Sequence, residues 1–85
     1  MIIRFHRRFE KEFDKLSQGI QRKFFERADL FRTDIFHPLL NNHSVDKRFP
    51  GCRSINVTGD YRAIFKERNF DVLFMRIGTH SELYG

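Results

Sequence analysis

The residues best suited to chemistry in this 85-residue chain are arginines and histidines in its C-terminal half. Arg62, Arg76 and His80 share one face if the segments that carry them are strands, because strand side chains point to opposite faces in turn. Asp60 lies at a predicted hairpin beside them, and Tyr84 follows His80 by four residues. Guanidinium groups stabilise charge in phosphoryl transfer, and imidazole moves protons near neutral pH. These are the parts of a metal-independent ribonuclease, in which the 2′-hydroxyl of RNA is the nucleophile.

Other chemistries fit the sequence less well. No two of the histidines are three or four residues apart and there is no cysteine cluster, so neither a metal site nor a cofactor is predicted. The chain has no glycine-rich phosphate loop and no nucleophile elbow. Cys52 has no base nearby in the sequence and is interpreted as a small packed residue. Tyr61 and Tyr84 are candidates for stacking on unpaired bases.

The elements that must position these residues are a short strand, two helices and a β-meander. Apolar residues recur at helical spacing in two stripes, and Ser17 between the stripes is a predicted N-cap. The second helix should end before Pro38, because the residue before a proline avoids helical backbone. A loop is predicted over residues 37–52, and strands over 54–57, 61–66 and 72–79 with turns between them.

We therefore predict an α+β fold in which an N-terminal short strand and an antiparallel helical hairpin pack on one face of a small antiparallel β-sheet. The expected core rows of the last two strands are Leu73, Met75 and Ile77, and Ala63 with Phe65. This choice leaves Ile64 and Phe74 on the face of the arginines. Another segment of the chain, or a partner, must then cover part of that face.

Length and charge limit the range of functions. The chain is long enough for one domain, residues 1–85, and its net charge of +5 is spread over both halves. A basic surface suits a polyanion or an acidic protein partner, although it can also serve solubility alone. No apolar run approaches the ~18 residues of a membrane span, and charges interrupt the N-terminal segment where a signal peptide needs an apolar core. With a single cysteine, the expected location is a reducing cytoplasm.

Several runs of the sequence resemble the RelE/ParE toxin superfamily. They are Asn41–Val45 (NNHSV), Gly51–Val57 (GCRSINV), Gly59–Phe65 (GDYRAIF) and Arg76–Gly85 (RIGTHSELYG). The ending Gly-Thr-His-Ser-Glu-Leu-Tyr is most similar to the YafQ-type branch. The resemblance implies the toxin of a bacterial type II toxin–antitoxin pair, acting in the cytoplasm. It further implies metal-independent cleavage of mRNA in the ribosomal A site and a cognate antitoxin protein as partner.

The resemblance also implies roles for individual residues. The YafQ-type positions correspond to His43, Asp60, Arg76, His80 and Tyr84, and Arg62 corresponds to an arginine of RelE-like toxins. We expect His80 to be the general acid, His43 or Asp60 the base, and the two arginines to bind the phosphate. Further RNA contacts are expected from Lys47, Arg48, Arg53 and Tyr61. Arg53 falls on the core side of its strand, however, so its other interpretation is a structural arginine at the sheet edge. One departure is Asn56, which stands where YafQ-like toxins carry another histidine.

Two other functions remain open at the level of the sequence. The first is that of a ParE-like toxin, which inhibits DNA gyrase and is not a nuclease. The presence of His43 and His80 beside arginines argues against it, because that activity needs no acid–base pair. The second is that of a degenerate member that only binds RNA or an antitoxin, which Asn56 in place of histidine keeps open.

Overall fold

The computed structural model describes all residues, Met1–Gly85, and consists of one five-stranded sheet with helices on both faces. In chain order the elements are β1 (Ile2–Phe5), α1 (Arg7–Asp14), α2 (Gln18–Thr33), a 3-10 helix (Pro38–Leu40), β2 (His43–Ser44), β3 (Arg53–Asn56), β4 (Tyr61–Arg68), β5 (Asp71–Thr79) and α3 (His80–Tyr84). Helices α1 and α2 pack on one face, while α3 and the loop before β3 pack on the other. The predicted α+β architecture is confirmed. None of the helices is both long and apolar enough to span a membrane.

Local capping determines where the two main helices begin. The Ser17 hydroxyl accepts the Ile20 N–H at 3.3 Å, which confirms Ser17 as the N-cap of α2. His6 caps α1 in the same way, because its Nδ1 accepts the Arg8 N–H at 3.0 Å. Helix α2 ends at Thr33, ahead of Pro38 as predicted.

The sheet has the strand order β1-β5-β4-β3-β2 and is mixed rather than wholly antiparallel. Strands β2 to β5 form antiparallel neighbours, but β1 pairs in parallel with β5, Ile2 lying opposite Asp71. Local alternation does not predict a pairing between segments so far apart in the chain. The predicted loop 37–52 also contains the 3-10 helix and β2, which are too short to produce a periodic pattern.

The main core is an aromatic cluster between the sheet and helices α1 and α2. Phe74 of β5 lies at its centre and is 0% exposed. Its ring centroid lies between 5.2 and 6.1 Å from those of Phe5, Phe9, Phe24, Phe31 and Phe65. Rings at these distances bury large apolar areas and add favourable edge and stacking contacts. The cluster ties β1, both helices and the two central strands together.

A β-bulge corrects the predicted faces of β5. Ile64 pairs with Arg76 and Phe65 pairs with Phe74, so Met75 has no partner on β4. The extra residue reverses the alternation, because a shift of one residue turns side chains to the other face. Ile77 lies in the main core as predicted, but the core assignment of Leu73 and Met75 is wrong, and Val72 and Phe74 take their places.

The bulge also resolves what covers the second face of the sheet. Ile64 does lie on that face, but it is 0% exposed, because it packs with Val45, Cys52 and Leu83 from the loop and α3. Phe74 is buried in the main core instead. A segment of the chain itself therefore covers Ile64, and no partner is needed to do so.

The central position of Phe74 gives a stability test with a control four residues away. Phe74→Ala should lower the free energy of unfolding by about 3–5 kcal/mol, because the emptied space is enclosed by other rings. Phe70→Ala should change it by less than about 0.5 kcal/mol, since Phe70 is 87% exposed. Urea unfolding monitored by circular dichroism measures both. Equal effects of the two substitutions would contradict the bulged register.

Candidate functional site

An open cleft of about 240 Å³ lies on the second face of the sheet, where β2, β3, β4 and α3 meet. It is lined by Asn41, His43, Ser54, Arg62, His80 and Tyr84. It adjoins a groove of about 550 Å³ that is also bordered by His43, His80 and Tyr84 and extends along residues 44–48. The structure thus brings together four of the six predicted catalytic residues.

The orientation of His43 is defined by the short strand β2 and by a backbone contact. His43 lies opposite Ser54 in the β2–β3 pair, and its Nδ1 lies 2.8 Å from the carbonyl oxygen of Asn41. A carbonyl oxygen only accepts, so Nδ1 carries the hydrogen of this bond. In the neutral ring Nε2 then has a free lone pair, which is the state that a general base requires.

Helix α3 positions His80 and Tyr84 one turn apart. Their rings stack with centroids 4.6 Å apart and an angle of 24° between planes. The helix begins with a capping box, in which Thr79 Oγ1 accepts the Glu82 N–H at 3.1 Å and Glu82 Oε1 accepts the Thr79 N–H at 2.8 Å. The His80 N–H donates to the Asp60 carbonyl at 3.1 Å, which ties α3 to the β3–β4 turn.

Arg62 is held by the same turn. Its Nη1 donates to the carbonyl oxygens of Thr58, Gly59 and Tyr61, each at 3.1 Å. The other two guanidinium nitrogens, Nε and Nη2, make no hydrogen bond. They are free to bind an anion in the cleft, and the turn has already fixed the side chain.

Tyr84 lies close to two cationic side chains. Burial raises the pKa of its phenol, and the charges of Arg48 and Arg62 oppose that rise. The hydroxyl therefore stays protonated at neutral pH and can donate a hydrogen bond. Tyr84 and Arg62 both line the cleft, which therefore contains a neutral donor as well as a cation.

Two buried polar atoms of β3 have no hydrogen-bond partner. They are Oγ of Ser54, whose residue is only 1% exposed, and Oδ1 of Asn56. Both residues are on the face of Arg62, because Asn56 lies opposite Arg62 and Ser54 is two residues away. Buried polar groups are nearly always paired, so these atoms suggest contacts with a ligand or with ordered water. The sequence singled out Asn56 but not Ser54 as a site residue. Ser54 is recognised only by the burial of its unpaired hydroxyl, which the sequence does not reveal.

Two predicted catalytic residues do not line the cleft. Arg76 binds Glu12 of α1, with Nε at 3.0 Å from each carboxylate oxygen and Nη2 at 2.9 Å from Oε2. The two side chains are only 15% and 25% exposed, and Glu12 Oε1 also accepts the Ile77 N–H at 3.1 Å. Asp60 contributes its carbonyl oxygen to the His80 contact, but it does not line the cleft.

The residues expected to bind RNA divide between the two faces of the sheet. Lys47 and Arg48 line the groove next to the cleft. Arg53 lies opposite Phe65, on the helix face, where its Nε donates to Asn42 Oδ1 at 2.7 Å. Tyr61 also packs against the main core. The structure brings neither Arg53 nor Tyr61 to the cleft.

The remaining thiol and the histidines form no further site. Cys52 is buried beside Ile64 and Leu83, and burial raises the pKa of its thiol, opposed by Lys66 and reinforced by Asp46. This environment agrees with a packed residue rather than a nucleophile. No group of three His, Cys, Asp or Glu side chains is arranged to hold a metal ion.

Comparison with known proteins assigns the chain to a family. Residues 3–84 match the family model described as the ParE toxin of the type II toxin–antitoxin system, parDE. The chain belongs to this family. The predicted membership of the RelE/ParE superfamily is thereby confirmed, and the protein is a toxin of the type II class. No protein of curated function matches the sequence significantly.

Solved structures of the superfamily have the same fold. YafQ from Escherichia coli BL21(DE3) is 24% identical with a TM-score of 0.80, over 98% of this chain and 97% of that one. A chain of the RelB–RelE antitoxin–toxin complex from Methanococcus jannaschii is 15% identical with a TM-score of 0.74, over 95% and 94% of the two chains. The YoeB/ParE toxin from Agrobacterium tumefaciens is 10% identical with a TM-score of 0.78, over 94% and 99%. The YafQ-like fold predicted from the closing motif is therefore found.

The capping box that positions His80 should make stability depend on pH. Hydrogen bonds from the backbone and side chain of Thr79 hold the pKa of Glu82 below its ordinary 4.5. A lowered pKa stabilises the fold above the unfolded value, and that contribution disappears as pH falls through the folded value. The wild type should therefore be more stable than Glu82→Gln at pH 7, and the difference should be smaller at pH ~3. Urea midpoints at both pH values measure this, and a constant difference would contradict it.

The Glu12–Arg76 pair predicts a structural effect for Arg76. Glu12→Gln and Arg76→Gln should each lower the free energy of unfolding by about 1–3 kcal/mol, because each leaves a mostly buried charge without its partner. The double variant should be destabilised by less than the sum, with a coupling above about 0.5 kcal/mol. Urea unfolding of the four proteins gives this coupling. Additive effects would show that the pair contributes little.

Proposed function

We propose that this toxin is an endoribonuclease that cleaves mRNA without a metal ion, with His43 and His80 as its acid–base pair. The observation that carries the proposal is the convergence of His43, Arg62, His80 and Tyr84 on one open cleft. Two histidines and a guanidinium with free nitrogens are the groups that cleavage through the 2′-hydroxyl requires. A toxin that acts by binding alone has no need of such a pair.

The proposed reaction is a transfer of the phosphoryl group from the 5′-oxygen to the neighbouring 2′-oxygen. The base removes the proton of the 2′-hydroxyl, the 2′-oxygen bonds to phosphorus, and the bond from phosphorus to the 5′-oxygen breaks. The acid returns a proton to that 5′-oxygen. The products are a 2′,3′-cyclic phosphate and a 5′-hydroxyl, so no water or metal enters the balance.

The geometry favours His43 as base and His80 as acid. The Nδ1 contact of His43 leaves Nε2 as the acceptor, whereas the carboxylate of Asp60, the other candidate base, is not part of the cleft lining. His80 is exposed at the start of α3 and its ring makes no hydrogen bond, so its protonated form can reach the leaving oxygen.

Arg62 and Tyr84 complete the proposed site. The free Nε and Nη2 of Arg62 would bind the phosphate, where a guanidinium stabilises the charge of the transition state. The ring of Tyr84, stacked on His80, would support the imidazole and leave its hydroxyl as a donor. Arg76 has no part at the phosphate in this scheme, because Glu12 already binds it.

Two partners follow from this function. Solved complexes of YafQ with DinJ and of RelE with RelB pair those toxins with antitoxins, and we infer a cognate antitoxin for this chain. The substrate would be mRNA in the A site of the ribosome in the bacterial cytoplasm. Lys47 and Arg48 beside the cleft would contribute RNA contacts.

A second candidate is inhibition of DNA gyrase without nuclease activity, as the resemblance to ParE-like toxins allows. The observation that favours it is the match of nearly the whole chain to the ParE toxin family. A third is a degenerate member that binds RNA or an antitoxin only. The same experiment separates all three.

Substitution of either cleft histidine should slow cleavage strongly. His43→Gln or His80→Gln should lower the rate by about 10²–10⁴, the usual contribution of general acid–base catalysis. Arg62→Gln should lower it by about 10²–10³, as for other groups that stabilise developing charge. Brief induction in bacteria with transcriptome-wide mapping of RNA 5′ ends measures the effect as new 5′-hydroxyl ends inside coding regions.

His37→Asn is the matched control, because His37 caps the 3-10 helix outside the cleft and Asn also caps well. This variant should cleave like the wild type. Growth arrest with signs of DNA damage and no new ends would reject the nuclease and favour gyrase inhibition. RNA binding without arrest or new ends would indicate a degenerate member.

A further inference from the structure

A second groove, of about 430 Å³, lies beside the candidate cleft and has no acidic residue in its lining. Five of its nine lining residues are basic side chains from separate parts of the chain: His6, Arg8, Arg48, Lys66 and Arg76. They come from the start of α1, the loop before β3, and strands β4 and β5. Only Arg48 is shared with the groove next to the cleft, so this is a distinct surface.

Most of this charge is not neutralised within the protein. Arg8, Arg48 and Lys66 take part in none of the salt bridges of the structure and make no side-chain hydrogen bond. Arg76 alone is paired, with Glu12. The one acidic residue of the adjoining loop, Asp46, accepts the Gly51 N–H at 2.6 Å. Like charges gathered in this way repel one another and attract an anionic chain.

His6 adds a hydrogen-bond donor whatever its charge. Its Nδ1 accepts the Arg8 N–H at 3.0 Å as the N-cap of α1. In the neutral ring the hydrogen is therefore on Nε2, and in the charged ring Nε2 carries it as well. The free nitrogen of His6 is thus always a donor, which suits phosphate or hydroxyl oxygens.

A row of aromatic rings connects this groove with the cleft. His80 stacks on Tyr84, and Tyr84 meets Phe49 with ring centroids 5.7 Å apart. Phe49 lines the second groove, and Arg48 Cζ lies 4.7 Å from the centre of its ring. Arg76 Cζ lies 5.8 Å from the same ring. Aromatic rings between basic side chains are the usual surface for single-stranded nucleic acid.

We propose that the second groove binds the sugar–phosphate backbone of the nucleotides that flank the one held in the cleft, the single strand crossing Phe49. This inference rests on the proposed function and extends it. RNA is favoured over an acidic peptide because the row of rings from Phe49 through Tyr84 to His80 leads from this groove to a cleft suited to a phosphodiester. The unpaired guanidinium groups of Arg8 and Arg48 also match phosphate oxygens in bidentate geometry.

The test uses the full chain and 2′-O-methyl RNA, which lacks the nucleophile and cannot be cleaved. Fluorescence anisotropy measures binding of oligonucleotides of about four and about twelve residues, a range typical of single-strand sites. The salt dependence is recorded for the wild type, for Arg8→Gln/Lys66→Gln and for Arg22→Gln/Arg32→Gln. The last pair removes the same charge from exposed positions of α2, which packs on the opposite face of the sheet.

The wild type should bind the twelve-residue RNA more tightly than the four-residue RNA. The groove variant, Arg8→Gln/Lys66→Gln, should lose most of this gain in affinity. Its slope of log affinity against log salt should fall by about 1.4, because each single-strand phosphate contact contributes about 0.7. Between about 50 and 200 mM salt this is about a sevenfold smaller loss of affinity. The α2 variant should keep both the gain and the slope, and Lys66→Arg should keep the slope.

Equal slopes for the groove variant and the wild type would overturn the inference. So would equal losses in the groove and α2 variants, since the effect would then be one of net charge. An unchanged RNA slope with weaker antitoxin binding would also overturn it, in favour of a protein partner. Urea midpoints confirm that each variant folds. Because the RNA cannot be cleaved, the result does not depend on whether the His80 experiment shows cleavage.

Discussion

The β-bulge between β4 and β5 is the constraint on which both faces of the sheet depend. Met75 has no partner on β4 because of the bulge. As a result, Phe74 before the bulge and Ile77 after it both point into the aromatic core. β1 pairs with β5 only as far as Phe74, so the following residues of β5 have no neighbouring strand on that side. There the Glu12 carboxylate binds the Arg76 side chain and accepts the Ile77 N–H. The inserted residue thus lets β5 contact α1 in two ways, through Phe74 against Phe9 and through Arg76 with Glu12.

Apolar packing on the other face holds the candidate site in place. The loop before β3 and the five-residue helix α3 are too short to be stable alone, and both pack on Ile64 through Val45, Cys52 and Leu83. That small cluster fixes β2 on one side of the cleft and His80 with Tyr84 on the other. Arg62 is fixed independently by three carbonyl oxygens of the turn. The groups that would meet a phosphate are therefore positioned before any ligand arrives, which reduces the cost of binding.

The sequence predicts the elements of this fold better than their register. Stripes and caps are local, so α1, α2 and the Ser17 cap follow from spacing alone. Three features depend on contacts between distant segments: the bulge, the parallel pairing of β1 and the Glu12–Arg76 bond. The local spacing of apolar residues, with a period of two or 3.6, cannot predict such contacts. For the same reason alternation placed Arg62 and His80 together but misplaced Arg76 beside them. His43 came from the resemblance, because a two-residue strand after a loop has no pattern of its own.

The distribution of charge argues that the basic surface has a role beyond solubility. On α2, Lys23 pairs with Glu26 and Arg32 with Asp29, so the helix face neutralises part of its charge at short range. Around the cleft and the second groove, Arg8, Arg48 and Lys66 have no such partners. A charge that served only solubility would be interspersed with acids on both faces. Three unpaired cations gathered in one groove without an acidic residue in its lining repel one another, and an anionic strand bound there would relieve that repulsion.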